Sequence, residues 1–249
     1  MDDLERNDAS VRTFRAAGKF TVESPDLKAR KKKFHGGSIQ FRRPADMFIR
    51  GNDRITNIAL FKLMAVGNEF LMEFPTQKEE SFYQIEALDL DNVPFSVSPV
   101  DIVHEMFLPE PWDDLGRRQV RMVTYQPGEN SVTLEVGPRR NPRRRVRVSL
   151  VDSAAPQWVV VENTRLGEEQ QVLAITQLSD YRFDADEAVY FPSRIEAYFP
   201  TEKTRMIFEL RRIRINVVLD DQKFDIQRRA RELGLLVDDT AETRSAQGR

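Results

Sequence analysis

The sequence predicts a mainly β protein (α+β) built around a single, strongly curved antiparallel sheet. Three observations point there. Short runs alternating apolar and polar residues recur along almost all of the 249-residue chain. Turn-forming residues punctuate them at Gly36-Gly37, Gly51-Asn52-Asp53, Gly67-Asn68, Pro127 to Asn130 and Asn141-Pro142. The connections are too short for βαβ crossovers, so neighbouring strands run antiparallel. A dozen or so strands in one sheet curl or close, because long open sheets do not stay flat.

In chain order the strands read "GKFTV", "GSIQF", "MFIR", "EFLMEF", "SFYQIE", "VRMVTY", "SVTLEV", "RVRVSLV", "QWVVVEN", "QVLAIT", "RIEAYF" and "RMIFELRRIRINVVL". Two stretches, "MEFPTQKEESFYQIE" from Met72 and "EAYFPTEKTRMIFEL" from Glu196, share Phe-Pro-Thr, then an acid or amide, then Lys. Pro suits the first central position of a β-turn, so each reads as a hairpin. Outside the turn they share only alternation, which excludes a duplicated domain. In the last strand Met206, Phe208 and Leu210 have one parity, and Ile213, Ile215, Val217 and Leu219 the other. The switch at Arg211-Arg212 predicts a β-bulge that keeps the apolar side inward.

Helix signals are few. A first helix opening at Asp2 or Asp3 would carry Leu4, Val11 and Phe14. "SPVDIVHEMFLPEP" offers Ser98 as N-cap, Pro99 at the first helical position and Asp101 in the first turn. Val100, Val103 and Phe107 fall at i, i+3 and i+7, Ile102 and Met106 widen the stripe, and Pro109 stops it. A third helix spans "DIQRRAREL" and ends at Gly234.

Composition narrows the function. A chain this long buries roughly 70–75% of its unfolded surface and needs no staples. With no Cys it has neither a disulfide nor a thiolate metal site. His35 and His104 are the two histidines, far apart in sequence, and read as surface or lid positions. A net charge of −2 argues against nucleic-acid binding. No apolar run approaches the ~18–20 residues needed to span a bilayer. The opening "MDDLERND" does not read as a secretory signal. No G-x-S-x-G, P-loop or H-E-x-x-H motif is present, and Asp180, Asp184 and Asp186 read as turn carboxylates. We therefore expect no enzymatic activity, no cofactor and no metal.

Four motifs occur in a telling order. "GGSIQFRRPADMF" (Gly36 to Phe48) is a Gly-led strand with a basic pair before Pro44, and "GNEFLMEFP" is a Gly-Asn turn and a strand closed by Pro75. Then come the Ser98-Pro99 helix and the closing "INVVLDDQKFDI". This order, over roughly residues 4–226, resembles the outer-membrane lipoprotein carrier family, LolA and its relatives. "TFRAAGKFTV" also looks like that family's helix-to-first-strand junction.

The resemblance implies a half-barrel whose apolar concave face is covered by helices and receives lipoprotein acyl chains or another lipid. Such burial is worth roughly 0.8 kcal/mol per CH₂, and Met-rich walls adapt to flexible chains. By parity, Ile39, Phe41, Phe70, Met72, Met206 and Phe208 should line the cavity, with Val103, Met106 and Phe107 from the lid helix. Arg43 before Pro44 matches a basic position used in lid closure and cargo hand-over, and Arg42 could share it. The resemblance also implies a periplasmic or outer-membrane-associated monomer; a soluble shuttle and an anchored relative both fit. A different reading is an envelope structural or sensor module that binds a protein partner through the same half-barrel.

Two basic clusters, Lys28 to Lys33 and Arg139 to Arg147, read as solvated hairpin tips between strands. The functional alternative is an anionic membrane surface, at about 1 kcal/mol per basic side chain. The expected division is a half-barrel domain, 1–227, and a charged C-terminal helix or tail, 228–249.

Overall fold

The computed structural model describes residues 4, 10–25, 31–34, 36–43, 46–53, 56–67, 69–78, 81–85, 120–151 and 156–236. The strands are β1 (Thr13–Glu23), β2 (Lys31–Phe34), β3 (Gly36–Arg42), β4 (Asp46–Asn52), β5 (Ala59–Val66), β6 (Glu69–Glu73) and β7 (Phe82–Ile85). After them come β8 (Val120–Gln126), β9 (Ser131–Val136), β10 (Arg144–Val151), β11 (Gln157–Leu166), β12 (Val172–Asp184), β13 (Val189–Phe199) and β14 (Thr204–Ile215). A 3₁₀ turn (Asp221–Phe224) and helix α1 (Ile226–Glu232) follow.

The 14 described strands belong to one sheet: 13 follow the order β7-β6-β5-β4-β3-β1-β14-β13-β12-β11-β10-β9-β8, and β2 pairs with β1 off this path. Every ladder is antiparallel, as short connections require. The first strand pairs with the last, Phe14 opposite Ile215 and Phe20 opposite Phe208. Two meanders of hairpins thereby join into one sheet. Among the described residues its end strands β7 and β8 do not pair with each other, so the sheet they form is open and not a closed barrel.

The anticipated bulge is present. Arg15 pairs with Arg214 and Ala17 with Arg211, so Arg212 and Ile213 together face Ala16. Arg212 takes a left-handed φ of 51°. One inserted residue restores phase, leaving Met206, Phe208, Leu210 and Ile215 all buried.

Most strands follow the one-sided alternation of antiparallel sheets. Over β8–β14 the outer face is charged. Arg121 and Arg145 meet Glu135, Arg147 meets Glu162, and Glu196 lies between Arg194 and Arg205. Strands β4–β6 are instead buried on both faces. Their outer residues Phe48, Met64 and Leu71 form a second cluster with Phe224 and Ile226. Asp225 caps α1 by accepting from the Arg228 N–H (3.1 Å). Gly234, at φ 73°, ends it in a Schellman arrangement: Leu235 N–H donates to Ala230 O and Gly234 N–H to Arg231 O.

Several expectations are corrected. Thr13–Glu23 is strand throughout, because Phe14, Ala16 and Phe20 alternate onto one face; no helix-to-strand junction falls within it. Phe14 therefore leaves the expected first helix, most of which lies outside the described residues. Lys31–Phe34 is strand β2, not a hairpin tip, and the overlooked "ALFKLMAV" is β5. Gly36-Gly37 and Gly51-Asn52 lie inside β3 and β4. Gly37 and Gly51 are glycines because rings cross them. A Cβ on Gly37 would strike the Phe20 ring and sit 2.6 Å from Arg50 O, and one on Gly51 would strike the Phe61 ring. Pro75 takes the predicted turn position, with Gln77 N–H donating to Phe74 O, whereas Pro200 opens its turn one place earlier, bonded from Lys203 N–H. Helix α1 packs on the sheet through Ile226. α1 lies on the face opposite the larger cluster; the predicted Ser98 helix lies outside the described residues.

Candidate functional site

The larger hydrophobic cluster occupies one face of the sheet from β6 to β9, here called the inner face. Strand register turns it into rows. One runs Met72, Leu63, Ile49, Ile39, Ala16 across β6, β5, β4, β3 and β1. The next runs Phe70, Ala65, Met47, Phe41, Phe14, Ile215 and reaches β14. On β14, Phe208 lies between Phe20 and Ile195, and Met206 between Val22 and Ala197.

The structure thus brings Ile39, Phe41, Phe70, Met72, Met206 and Phe208 onto one face and into one cluster, each no more than 6% exposed. Three of them have ring partners: Phe41 stacks on Phe14 (5.4 Å), Phe208 meets Phe20 (4.9 Å) and Phe70 meets Phe82 (5.7 Å). Such pairs add about 0.5–1.5 kcal/mol beyond burial and hold the wall in place. Val103, Met106 and Phe107 lie outside the described residues, as do His35 and His104.

The basic pair splits between two roles. Arg43 donates from Nε to Val11 O (2.7 Å) and from its backbone N–H to Arg12 O (3.0 Å). It ties the β3–β4 turn to the segment leading into β1. Arg42 points to the outer face, donating to Asp46 (2.8 Å) and Asp221 (2.6 Å) and lying 4.6 Å over the Phe224 ring. Pro44 lies outside the described residues.

The outer face holds a feature the sequence reading missed. Glu73, its side chain 3% exposed, accepts from Lys62 Nζ (3.0 Å) and from Arg229 Nε (2.9 Å) and Nη2 (2.6 Å). Burial pushes the carboxyl upward, but the hydrogen bonds and charges of Arg229 and Lys62 outweigh it and hold its pKa below the usual range. Beside this pair a cavity of about 350 Å³ opens between α1 and the sheet, lined among others by Ser38, Arg50, Lys62 and Arg228. The unbroken apolar runs "MFI", "LMA" and "FLM" were the available signal that these strands are covered on both sides.

The basic clusters are in part compensated. Arg145 and Arg147 face Glu135 and Glu162 from within β10; the backbone of Lys31 to Lys33 is the strand that pairs along β1. Asp184 accepts from the backbone N–H groups of Asp186 (3.1 Å) and Glu187 (3.2 Å), a turn-closing role. Among the described residues no helix is long and apolar enough to cross a membrane.

No protein-family profile and no curated relative matches the sequence. Solved structures do match. A DUF1329 family protein from Desulfovibrio piger aligns with a TM-score of 0.57 at 12% identity, over 91% of this chain and 96% of its own. A putative outer membrane lipoprotein-sorting protein domain from Vibrio parahaemolyticus aligns at 0.54 and 8%, over 91% and 94%. A LolA superfamily protein from Nitrosomonas europaea aligns at 0.50 and 9%, over 90% and 96%. The chain therefore has a LolA-like fold.

Proposed function

We propose that the protein is a non-enzymatic carrier that binds acyl chains, of lipoproteins or of other lipids, against its inner face in the bacterial cell envelope. The observation that carries this reading is the continuity of the apolar face across β6–β9, on a fold shared with a lipoprotein-sorting domain and a LolA superfamily protein. The sheet curves around the chain as a half-barrel. A wall of Phe, Met, Leu and Ile binds without directionality, at roughly 0.8 kcal/mol per CH₂, which suits a guest that must later be released. Arg43 and Pro44 couple lid movement to hand-over, since Arg43 already anchors the segment entering β1. The periplasm or the outer membrane is the working location.

Displacement of a fluorescent fatty-acyl probe tests the reading. Saturable binding that Ile39→Glu or Met206→Glu weakens at least ~10-fold supports it. Absence of binding to the folded protein removes it.

A second reading, an envelope module that binds a protein partner, has one observation in its favour. The edge strand β8 exposes Met122 (66%), Val123 (50%) and Tyr125 (53%). A register shift at Val123 interrupts that edge and works against simple strand addition. A stable complex with a clean apo mass under non-denaturing mass spectrometry would favour this module over the carrier.

A further inference from the structure

On the inner face one residue breaks the apolar pattern in a way packing does not explain. Asn163, in β11, is 1% exposed, and neither its Oδ1 nor its Nδ2 has a hydrogen-bond partner. Its place follows from register. Arg147 pairs with Glu162 but Val148 with Val160, so Val161 is a bulge residue. Beyond that bulge Glu162 meets Arg147 on the outer face, and Asn163 falls between Val146 and Thr176 on the inner one. Across β9 to β14 the row is Leu134, Val146, Asn163, Thr176, Ala197, Met206.

The surroundings of Asn163 differ from the rest of the wall. Around Gly37 and Gly51 the inner face is filled by the rings of Phe20 and Phe61. Beside Asn163 it carries Val146 on the β10 side and, toward β12 and β13, the small side chains of Thr176, Ala174 and Ala197. A buried amide with both ends unpaired is costly, and buried polar groups are almost always satisfied. A strand position between Val and Thr would be filled more stably by Leu or Val, unless the amide has a use.

We propose that Asn163 is the polar contact for an amide group carried by the acyl guest. This rests on the carrier reading above and adds the guest's head-group chemistry to it. A carboxamide offers one acceptor and two donors. Its complement is another amide, whose C=O accepts from Nδ2–H while its N–H donates to Oδ1. An ester has the carbonyl but no donor, so it leaves Oδ1 unpaired and is discriminated against. The small residues Thr176 and Ala197 on one side give the amide room within the row, and the apolar ends of the row, Leu134 and Met206, receive the chain.

The test uses two probes that differ by one group, N-dodecylacetamide and dodecyl acetate, titrated into the 249-residue protein and into Asn163→Leu. The wild type should prefer the amide by at least ~10-fold, and its Asn163 side-chain amide signal should shift in ¹H–¹⁵N spectra on binding. Asn163→Leu should keep its affinity for the acetate and lose the preference, while melting at the same temperature or higher. If Leu does not fold at this site, Asn163→Ala serves in its place. Equal affinity of the wild type for both probes, or an unchanged preference in the variant, overturns the amide assignment and leaves the carrier reading intact; Asn163 would then hold only water. Failure of the wild type to bind either probe removes the carrier reading and this inference with it.

Discussion

Arg229 grips the buried carboxylate of Glu73 with two hydrogen bonds, 2.9 and 2.6 Å, across 156 residues of sequence. The pair fixes the C-terminal helix to the back of the sheet, where Phe224 and Ile226 cover Phe48, Met64 and Leu71. Removing Arg229 leaves a carboxylate with little access to water bonded to Lys62 alone of its two cationic partners. Arg229→Ala should therefore lower unfolding stability by about 3 kcal/mol. The double variant Glu73→Leu/Arg229→Leu should recover most of that, because two apolar side chains can replace a buried ion pair at little cost. Urea unfolding of the three proteins checks both statements.

The same carboxylate gives a pH dependence of defined sign. Its folded pKa is depressed below the ordinary value of about 4.3. Its stabilising contribution is thus complete above that value and is lost as pH falls through the lower, folded one. Wild type and Glu73→Gln should differ by a constant amount at pH 6, and the gap should shrink below about pH 4. A gap that widened on acidification would contradict the assignment.

Gly37 and Gly51 are required by rings that cross them, not by turns. Gly37→Ala should cost about 1–3 kcal/mol, since Phe20 and the Arg50 carbonyl have nowhere to go. Gly128→Ala, at a site with nothing within 4 Å, is the control and should change little. Thermal denaturation distinguishes them.

The bulge at Arg212 holds a non-glycine residue at φ 51°. Arg212→Gly relieves this and should stabilise by up to about 1 kcal/mol, whereas Arg212→Val should destabilise by about 1–2 kcal/mol. The ordering Gly, Arg, Val in denaturation midpoint is the expected result.

Arg43 donates from Nε to Val11 O and from its backbone N–H to Arg12 O, and its side chain is only half-buried. Arg43→Leu should leave the fold intact and slow cargo release. Transfer of bound lipid to acceptor vesicles measures this, and an unchanged rate would remove Arg43 from hand-over.

Much of the inner face was legible because a period of two needs no partner to be read. Ile39 and Phe41, Phe70 and Met72, and Met206 and Phe208 each alternate within their own strand. The Arg211-Arg212 bulge was legible for the same reason, as a break in that period. Gly234 marked the end of α1, since the left-handed C′ position favours glycine. Other features were hidden by ambiguity of local signals. Gly36-Gly37 looks identical whether it makes a turn or admits a ring from another strand. Lys62 disguised β5, because its pairing with Glu73 appears only once β6 is alongside. Arg229 and Glu73 could not be matched at all, for neither carries a local sign of the other. Asn163 closed the "QWVVVEN" strand and seemed an ordinary strand end until register placed it on the inner face.

The most direct test places a reporter in the wall itself. Trp158 packs against the inner cluster, and Trp112→Phe would leave it as the one tryptophan of the chain. In that variant an acyl chain brominated along its length should quench Trp158 fluorescence saturably, and the unbrominated chain of equal length should not. Equal fluorescence with both chains, at concentrations that saturate any binding, would show that no acyl chain reaches the inner face.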